Sequence, residues 1–244
     1  MCIAYIAKNP FKNCELLIAM NRDEFYTRPF SMTELRGELY YPQDEKFGGT
    51  WFAFNMKGHF GMLTNIRKFN QSSAKLTRGE IPLNYLKSGL FPTQSEYKLF
   101  NFIFGSRNSI GHISSYSKIQ DIIKDEYFTI SNSKFLPSNW SKEEVLREKF
   151  KVLFSKNDVP TPNELFEVLS NKQQNSRQES DDTGYPDEVE KKLSSIFVEI
   201  PENSYGTVHQ LLFVISQDKK VSYYERRVGP GRKFSEILEI SFNL

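Results

Sequence analysis

An α+β fold of antiparallel hairpins interrupted by helices follows from three features of this 244-residue sequence. Short apolar runs recur in pairs across turn residues, the signature of hairpins rather than of strand–helix–strand units. Most helical signals gather between residues 141 and 197 instead of alternating with strands along the chain. The 21 Phe and 12 Tyr supply large ring surfaces suited to a core between sheets.

Residues 3–7 and 15–20 are apolar and flank the turn-like Lys8-Asn9-Pro10-Phe11-Lys12-Asn13, giving a first hairpin. Residues 48–54 and 59–65 repeat the pattern around Asn55-Met56-Lys57-Gly58, with Gly58 at the turn position that needs positive φ. A short helix is expected over 79–87, opening near Pro82, because proline fits a first helical turn. Strands follow at 102–105, 111–116 and 127–130, separated by Ser, Asn, Gly and Lys. Ser141-Lys142-Glu143-Glu144 reads as a capping box that opens a helix through Val145, Leu146, Phe150 and Leu153, and 163–169 forms the next. Residues 171–187 are polar and predict a mobile surface loop bordering the site. A helix over 188–197, a hairpin of 210–216 with 221–225, and a closing strand within 234–242 complete the chain.

No composition break divides the sequence, so residues 1–244 read as one domain. A net charge of +2 with lysines scattered among acids provides no basic stripe for nucleic acid. There is neither an apolar run long enough to span a membrane nor a secretory signal pattern. A cytoplasmic location is therefore expected, with mitochondrial or Golgi association also open. Cys2 and Cys14 are too few for a disulfide framework, and with His59, His112 and His209 they form no metal-binding spacing.

Chemistry points to the start of the chain. Removal of the initiator Met ahead of a small residue would leave Cys2 with both a thiol and a free α-amine. That amine titrates at roughly 7.7–8.0 in reference peptides, so nucleophile and base would share one residue. The plain alternative is a small buried apolar cysteine. Asn21-Arg22-Asp23-Glu24 ends the strand expected to pair with the Cys2 strand, where Asp23 is placed to hold the Cys2 amine; a solvated charged strand end is the alternative. Asn65 and Asn132 each end an expected strand, where an amide could serve an oxyanion or simply start a turn.

These residues sit within motifs that resemble the NRDE-motif proteins, including the transport and Golgi organisation protein 2 group. The motifs are Met1-Cys2-Ile3, Ala19-Met20-Asn21-Arg22-Asp23-Glu24-Phe25-Tyr26-Thr27-Arg28-Pro29, Gly48-Gly49-Thr50-Trp51, Leu63-Thr64-Asn65, Arg78-Gly79-Glu80, Ile130-Ser131-Asn132, Asp182-Thr183-Gly184 and Tyr205-Gly206-Thr207. The resemblance implies an N-terminal-nucleophile hydrolase-like four-layer αββα sandwich of two antiparallel sheets. It implies a role in haem, lipid or acyl-coenzyme A handling, with haem a carried ligand and no cofactor required. A more distant similarity, to cysteine amidohydrolases such as bile salt hydrolases, implies Cys2 as nucleophile, Asp23 as the carboxylate orienting its amine, and Asn65 and Asn132 as site amides. It offers cleavage of acyl amides or thioesters as the competing activity. Asn21, Arg22, Arg78 and Tyr205 are the expected binding residues. Two departures stand out: those amidohydrolases place an arginine two or three residues before the aspartate, where this chain has Met20 and Asn21, and Val208-His209 replaces an arginine common after Tyr-Gly-Thr.

Overall fold

Two antiparallel sheets face each other in the computed structural model, which describes residues 2–122, 126–138, 140–156, 158–175 and 183–244. The first hairpin joins β1 (Cys2–Lys8) to β2 (Cys14–Phe25). Its turn uses Asn9 and Asn13 at positive φ, which asparagine tolerates better than most residues. Both strands are buried on both faces, which is why they read as continuous apolar runs. Cys2, Ala4, Ile6, Leu16, Ile18 and Met20 join the core between the sheets, whereas Ile3, Tyr5, Ala7, Leu17 and Ala19 pack beneath helices.

The second sheet is a meander of seven strands in chain order: β3 (Phe30–Arg36), β4 (Leu39–Asp44), β5 (Phe52–Asn55), β6 (Phe60–Asn65), β7 (Phe100–Gly105), β8 (Ile110–Ser114) and β9 (Ser117–Ile122). The hairpin of β5 and β6 turns at Gly58, whose φ is 72°, with Asn55 Oδ1 accepting from the Lys57 and His59 amides. Sequence reading missed β3 and β4 because Thr33-Glu34 and Pro42-Gln43 break any apolar alternation. Helix α1 (Ile81–Ser88) covers this sheet through Ile81, Leu83 and Tyr85. Pro82 lies in its first turn.

The chain returns to the first sheet with β10 (Tyr127–Ile130), which lies beside β1. Helices α2 (Ser141–Phe154) and α3 (Pro162–Leu169) then cover that sheet with Leu146, Phe150, Leu165 and Phe166. The expected capping box at Ser141 does not form: Ser141 is inside the helix and Trp140 is its cap, without a side-chain bond. The capping box belongs to α3, where Thr161 and Glu164 bond reciprocally. Of the polar segment 171–187, residues 176–182, including Asp182, lie outside the described residues.

The helix expected over 188–197 is shorter, α4 (Asp187–Lys192). Two serines end it: Ser194 Oγ donates to the Lys191 carbonyl and Ser195 Oγ to the Phe197 carbonyl, side-chain bonds that compete with the helical ladder. The chain closes with β11 (Glu199–Ile200), β12 (Tyr205–Ser216), β13 (Lys220–Gly229), β14 (Lys233–Phe234) and β15 (Leu238–Asn243), all within the first sheet, whose main order is β10-β1-β2-β12-β13-β14. The result is helices, sheet, sheet and helix, the α+β sandwich the sequence predicts.

Candidate functional site

Cys2 opens β1 directly opposite Arg22 of β2. Opposed residues of an antiparallel pair share a face, so thiol and guanidinium project to the same side. Arg22 is buried, its Cζ 4.0 Å from the Trp51 ring centre, a cation–π contact that partly replaces lost water. Its Nη2 donates to Asp44 at 3.1 Å, and Arg28 grips both oxygens of the same carboxylate at 2.9 and 3.1 Å. The Arg22 Nη1 is buried with no hydrogen-bond partner among the described residues. Arg22 therefore places a buried cation on the Cys2 side of the strand pair.

Asp23, one residue on, turns to the opposite face. Its Oδ1 accepts from Thr207 Oγ1 at 2.8 Å, and its backbone carbonyl accepts from the Tyr205 hydroxyl at 3.2 Å. Burial pushes the Cys2 thiol up from its ordinary value, as does the Asp23 charge; Arg22 and a hydrogen bond from the Asp23 backbone work against that rise. Burial likewise pushes the Asp23 carboxyl up, opposed by Lys142, the Thr207 hydrogen bond and Arg67.

Cys2, Arg22, Asp23 and Asn65 line one cavity of about 460 Å³. Its walls also carry Lys75, Arg78 and Lys98 against Glu24 and Asp44, a cationic excess. Arg78 donates to the Leu99 carbonyl at 2.9 Å, and burial pulls its pKa down to about 10. A second cavity of about 420 Å³ shares Glu24, Asn65, Arg78 and Lys98 with the first and adds Phe25, Ile66, Val189, Leu193, Ile200 and Tyr205. The segment 74–79 that roofs the first cavity is pinned by backbone contact: Thr50 N donates to the Gly79 carbonyl at 2.8 Å. A Cβ on Gly49 would stand 2.6 Å from Gly79, so both glycine motifs serve this close approach.

Asn132 is fully buried and does not line either cavity. Its Nδ2 donates to the Asn65 carbonyl at 2.7 Å, while its own carbonyl accepts from the Arg67 amide at 2.7 Å. It joins the two sheets at the site. Asn21 is also withdrawn from the cavities: its amide donates to the Leu169 and Ile196 carbonyls and accepts from Gln210, fixing the helix layer. Asp44, Lys75 and Lys98 escaped sequence reading. None sits in a motif, and Asp44 is recognisable only once β4 brings it back to Arg22 and Arg28.

The fold has counterparts among solved structures. The structure resembles the Caenorhabditis elegans N-acylethanolamine-hydrolyzing acid amidase orthologue with a TM-score of 0.54, at 10% identity over 87% of this chain and 92% of that one. It also resembles a C2A mutant of conjugated bile acid hydrolase from Clostridium perfringens, with a TM-score of 0.51, at 8% identity over 100% of this chain and 97% of that one. The likeness is one of fold, an N-terminal-nucleophile hydrolase-like sandwich of two antiparallel sheets. Residues 1–230 match the Transport and Golgi organisation 2 family, and the chain belongs to that family. The Transport and Golgi organization 2 homolog of Mus musculus is 33% identical over 103 residues, 37% of this chain and 36% of the mouse protein, so the alignment spans about a third of that relative.

Proposed function

We propose that this protein handles lipid acyl groups or acyl-coenzyme A by covalent chemistry, as a cysteine N-terminal-nucleophile hydrolase of acyl amides or thioesters. The observation that carries the reading is that Cys2 and Asp23, from neighbouring strands, line one cationic cavity. Once Met1 is removed, the Cys2 amine takes the thiol proton and Asp23 orients that amine. The sulfur bonds to the acyl carbon, the carbon–nitrogen or carbon–sulfur bond breaks, and the leaving group departs with the proton from the amine. Water then adds to the acyl-enzyme, passing a proton to the amine and releasing the acid while the thiol re-forms. Asn65 on the cavity wall is the amide available to the developing oxyanion. Lys75, Arg78 and Lys98 favour a substrate with an anionic head group.

A carrier without turnover is the second reading, favoured by the apolar side of the adjoining cavity. Acyl chains suit that space better than haem, because no histidine lines either cavity among the described residues and Cys2 alone offers a soft iron ligand. The cytoplasm, with mitochondrial or Golgi association, is the expected setting; among the described residues no helix is long and apolar enough to cross a membrane. Incubation of the processed protein with an acyl-coenzyme A tests both readings. Release of free coenzyme A and a transient acyl mass on Cys2 support hydrolysis. A raised melting temperature without release supports the carrier, and no response to acyl-coenzyme A or haem removes both.

A further inference from the structure

Large apolar side chains left in water carry information when they gather at an opening rather than scatter singly. Four gather here: Phe25 is 51% exposed, Phe47 57%, Phe69 49% and Leu76 39%. Phe47 and Leu76 line the cavity that holds Cys2, and Phe25 lines the adjoining one. The Phe69 ring meets Tyr185 of that second wall edge-on, with centres 5.2 Å apart. A side chain that is both exposed and on a cavity wall stands at the rim. Chain connectivity explains the gathering. Phe25 ends β2, Phe47 follows β4, and Phe69 and Leu76 follow β6, three strands that finish where Arg22, Asp44 and Asn65 line the site.

The three rings are anchored. Phe25 packs edge-on against Tyr205 with centres 5.2 Å apart, and the Phe69 amide donates to the Thr183 carbonyl at 2.7 Å. The Phe47 amide donates to Asp44 Oδ1 at 3.1 Å, and Arg28 Cζ lies 4.6 Å from its ring centre. Each keeps apolar area in water at a fixed place, an arrangement that favours a partner able to cover it.

Lysines interleave with these side chains. Lys46 precedes Phe47, Lys68 precedes Phe69 and Lys75 precedes Leu76, and all three lysines are exposed. Lys98, also exposed, lies on both cavity walls. Of the acids at this end, Asp44 is bound by Arg22 and Arg28, and Glu24 lies 3.9 Å from Arg22. Glu45, beside Lys46, and Asp187 and Glu188, at the start of α4, are exposed. A cation next to an exposed apolar side chain, three times over at one rim, matches a surface with anions outside and hydrocarbon just beneath.

We propose that this end of the sandwich docks on a bilayer containing anionic lipid. Phe25, Phe47, Phe69 and Leu76 enter the headgroup boundary, and Lys46, Lys68 and Lys75 meet lipid phosphates. The cavity mouths then face the membrane. On the acyl reading of the site, a chain passes between the bilayer and the second cavity without crossing water; the docking itself stands apart from that reading.

The test is co-sedimentation of the full chain with vesicles of phosphatidylcholine alone, or with about a third phosphatidylserine. The parent is expected to prefer the anionic vesicles and to be released at about 0.5 M salt. Affinity is expected to fall at least about tenfold in Phe47→Ser/Phe69→Ser and in Lys46→Gln/Lys68→Gln. Met56 and Leu244 are exposed at the β5–β6 turn, the opposite end of β6 from Asn65, and Met56→Ser/Leu244→Ser is expected to bind within about twofold of the parent. A tryptophan reporter frees the test from any folding defect of the serine variants. Lipids brominated along the acyl chain are expected to quench Phe69→Trp and to leave Met56→Trp unchanged. No binding, no preference for anionic vesicles, equal losses in the rim and turn variants, or equal quenching of the two reporters would overturn the proposal. A lipid-independent dimer abolished by Phe47→Ser/Phe69→Ser would also overturn it, by assigning the face to a second copy of the chain. Docking by a protein that never gains an acyl group on Cys2 supports the proposal and counts against the hydrolase reading alone.

Discussion

One carboxylate sets the geometry beside Cys2. Asp44 binds Arg22 and Arg28 together, and its Oδ1 also accepts from the Lys46 and Phe47 amides, so the Arg22 guanidinium is fixed against Trp51. A planar guanidinium stacked on an indole ring and bonded to one carboxylate oxygen this way has no equal substitute in lysine. Arg22→Lys is expected to slow Cys2 acylation by at least about tenfold while the chain still folds, as stopped-flow mass analysis and circular dichroism would report. Asp23→Asn is expected to cut the same rate by about 10²–10⁴-fold, because the amine loses its orienting charge. The sequence put Cys2, Asp23 and Asn65 at or near strand termini inside distinctive motifs, and the structure brings all three to the wall of one cavity. The sequence left open where Asn21 and Asn132 would lie, because strand alternation alone does not say which layer an end residue faces. In the structure both amides bond backbone carbonyls from other elements.

At the scale of elements, the hairpins were readable because their strands carry apolar runs between turn residues with distinctive φ requirements, as at Gly58. The helices around 141–197 were readable in kind but not at their ends: caps depend on which hydroxyl meets a free amide, and Thr161 wins that role where Ser141 does not. Thr161→Ala is expected to cost about 1 kcal/mol in chemical denaturation without altering the site. The Gly49–Gly79 contact is the element-level device that matters for function. A Cβ on Gly79 would lie 2.9 Å from the Gly49 Cα. Gly79→Ala is therefore expected to displace the 74–79 roof, lowering stability by about 1–3 kcal/mol and changing the acyl-thioester KM, measured by urea titration and steady-state kinetics.

Across the whole molecule, a buried polar bridge joins the sheets. Glu225 of the first sheet accepts from the Thr33 amide and hydroxyl of the second at 2.5 and 2.8 Å, from Tyr223 at 2.6 Å, and pairs with His209 at 2.8 Å. Burial works against the charged form of Glu225, but His209 and these hydrogen bonds hold its pKa below the ordinary value. A depressed carboxyl pKa contributes stability above the unfolded value, about 4.3, and that contribution is lost as pH falls through the folded value. Glu225→Gln is accordingly expected to lose about 3–5 kcal/mol at pH 7 and to show a flatter decline in melting temperature below about pH 4. The same sandwich places Cys2 at the strand edge between the sheets, and the account depends on that residue carrying chemistry. Intact-mass analysis of the purified native protein after brief exposure to an acyl-coenzyme A tests this most directly. The account predicts a chain that begins at Cys2 and carries one acyl group mapped to that residue. A chain that retains Met1, or a processed chain that never gains the acyl mass, would contradict it.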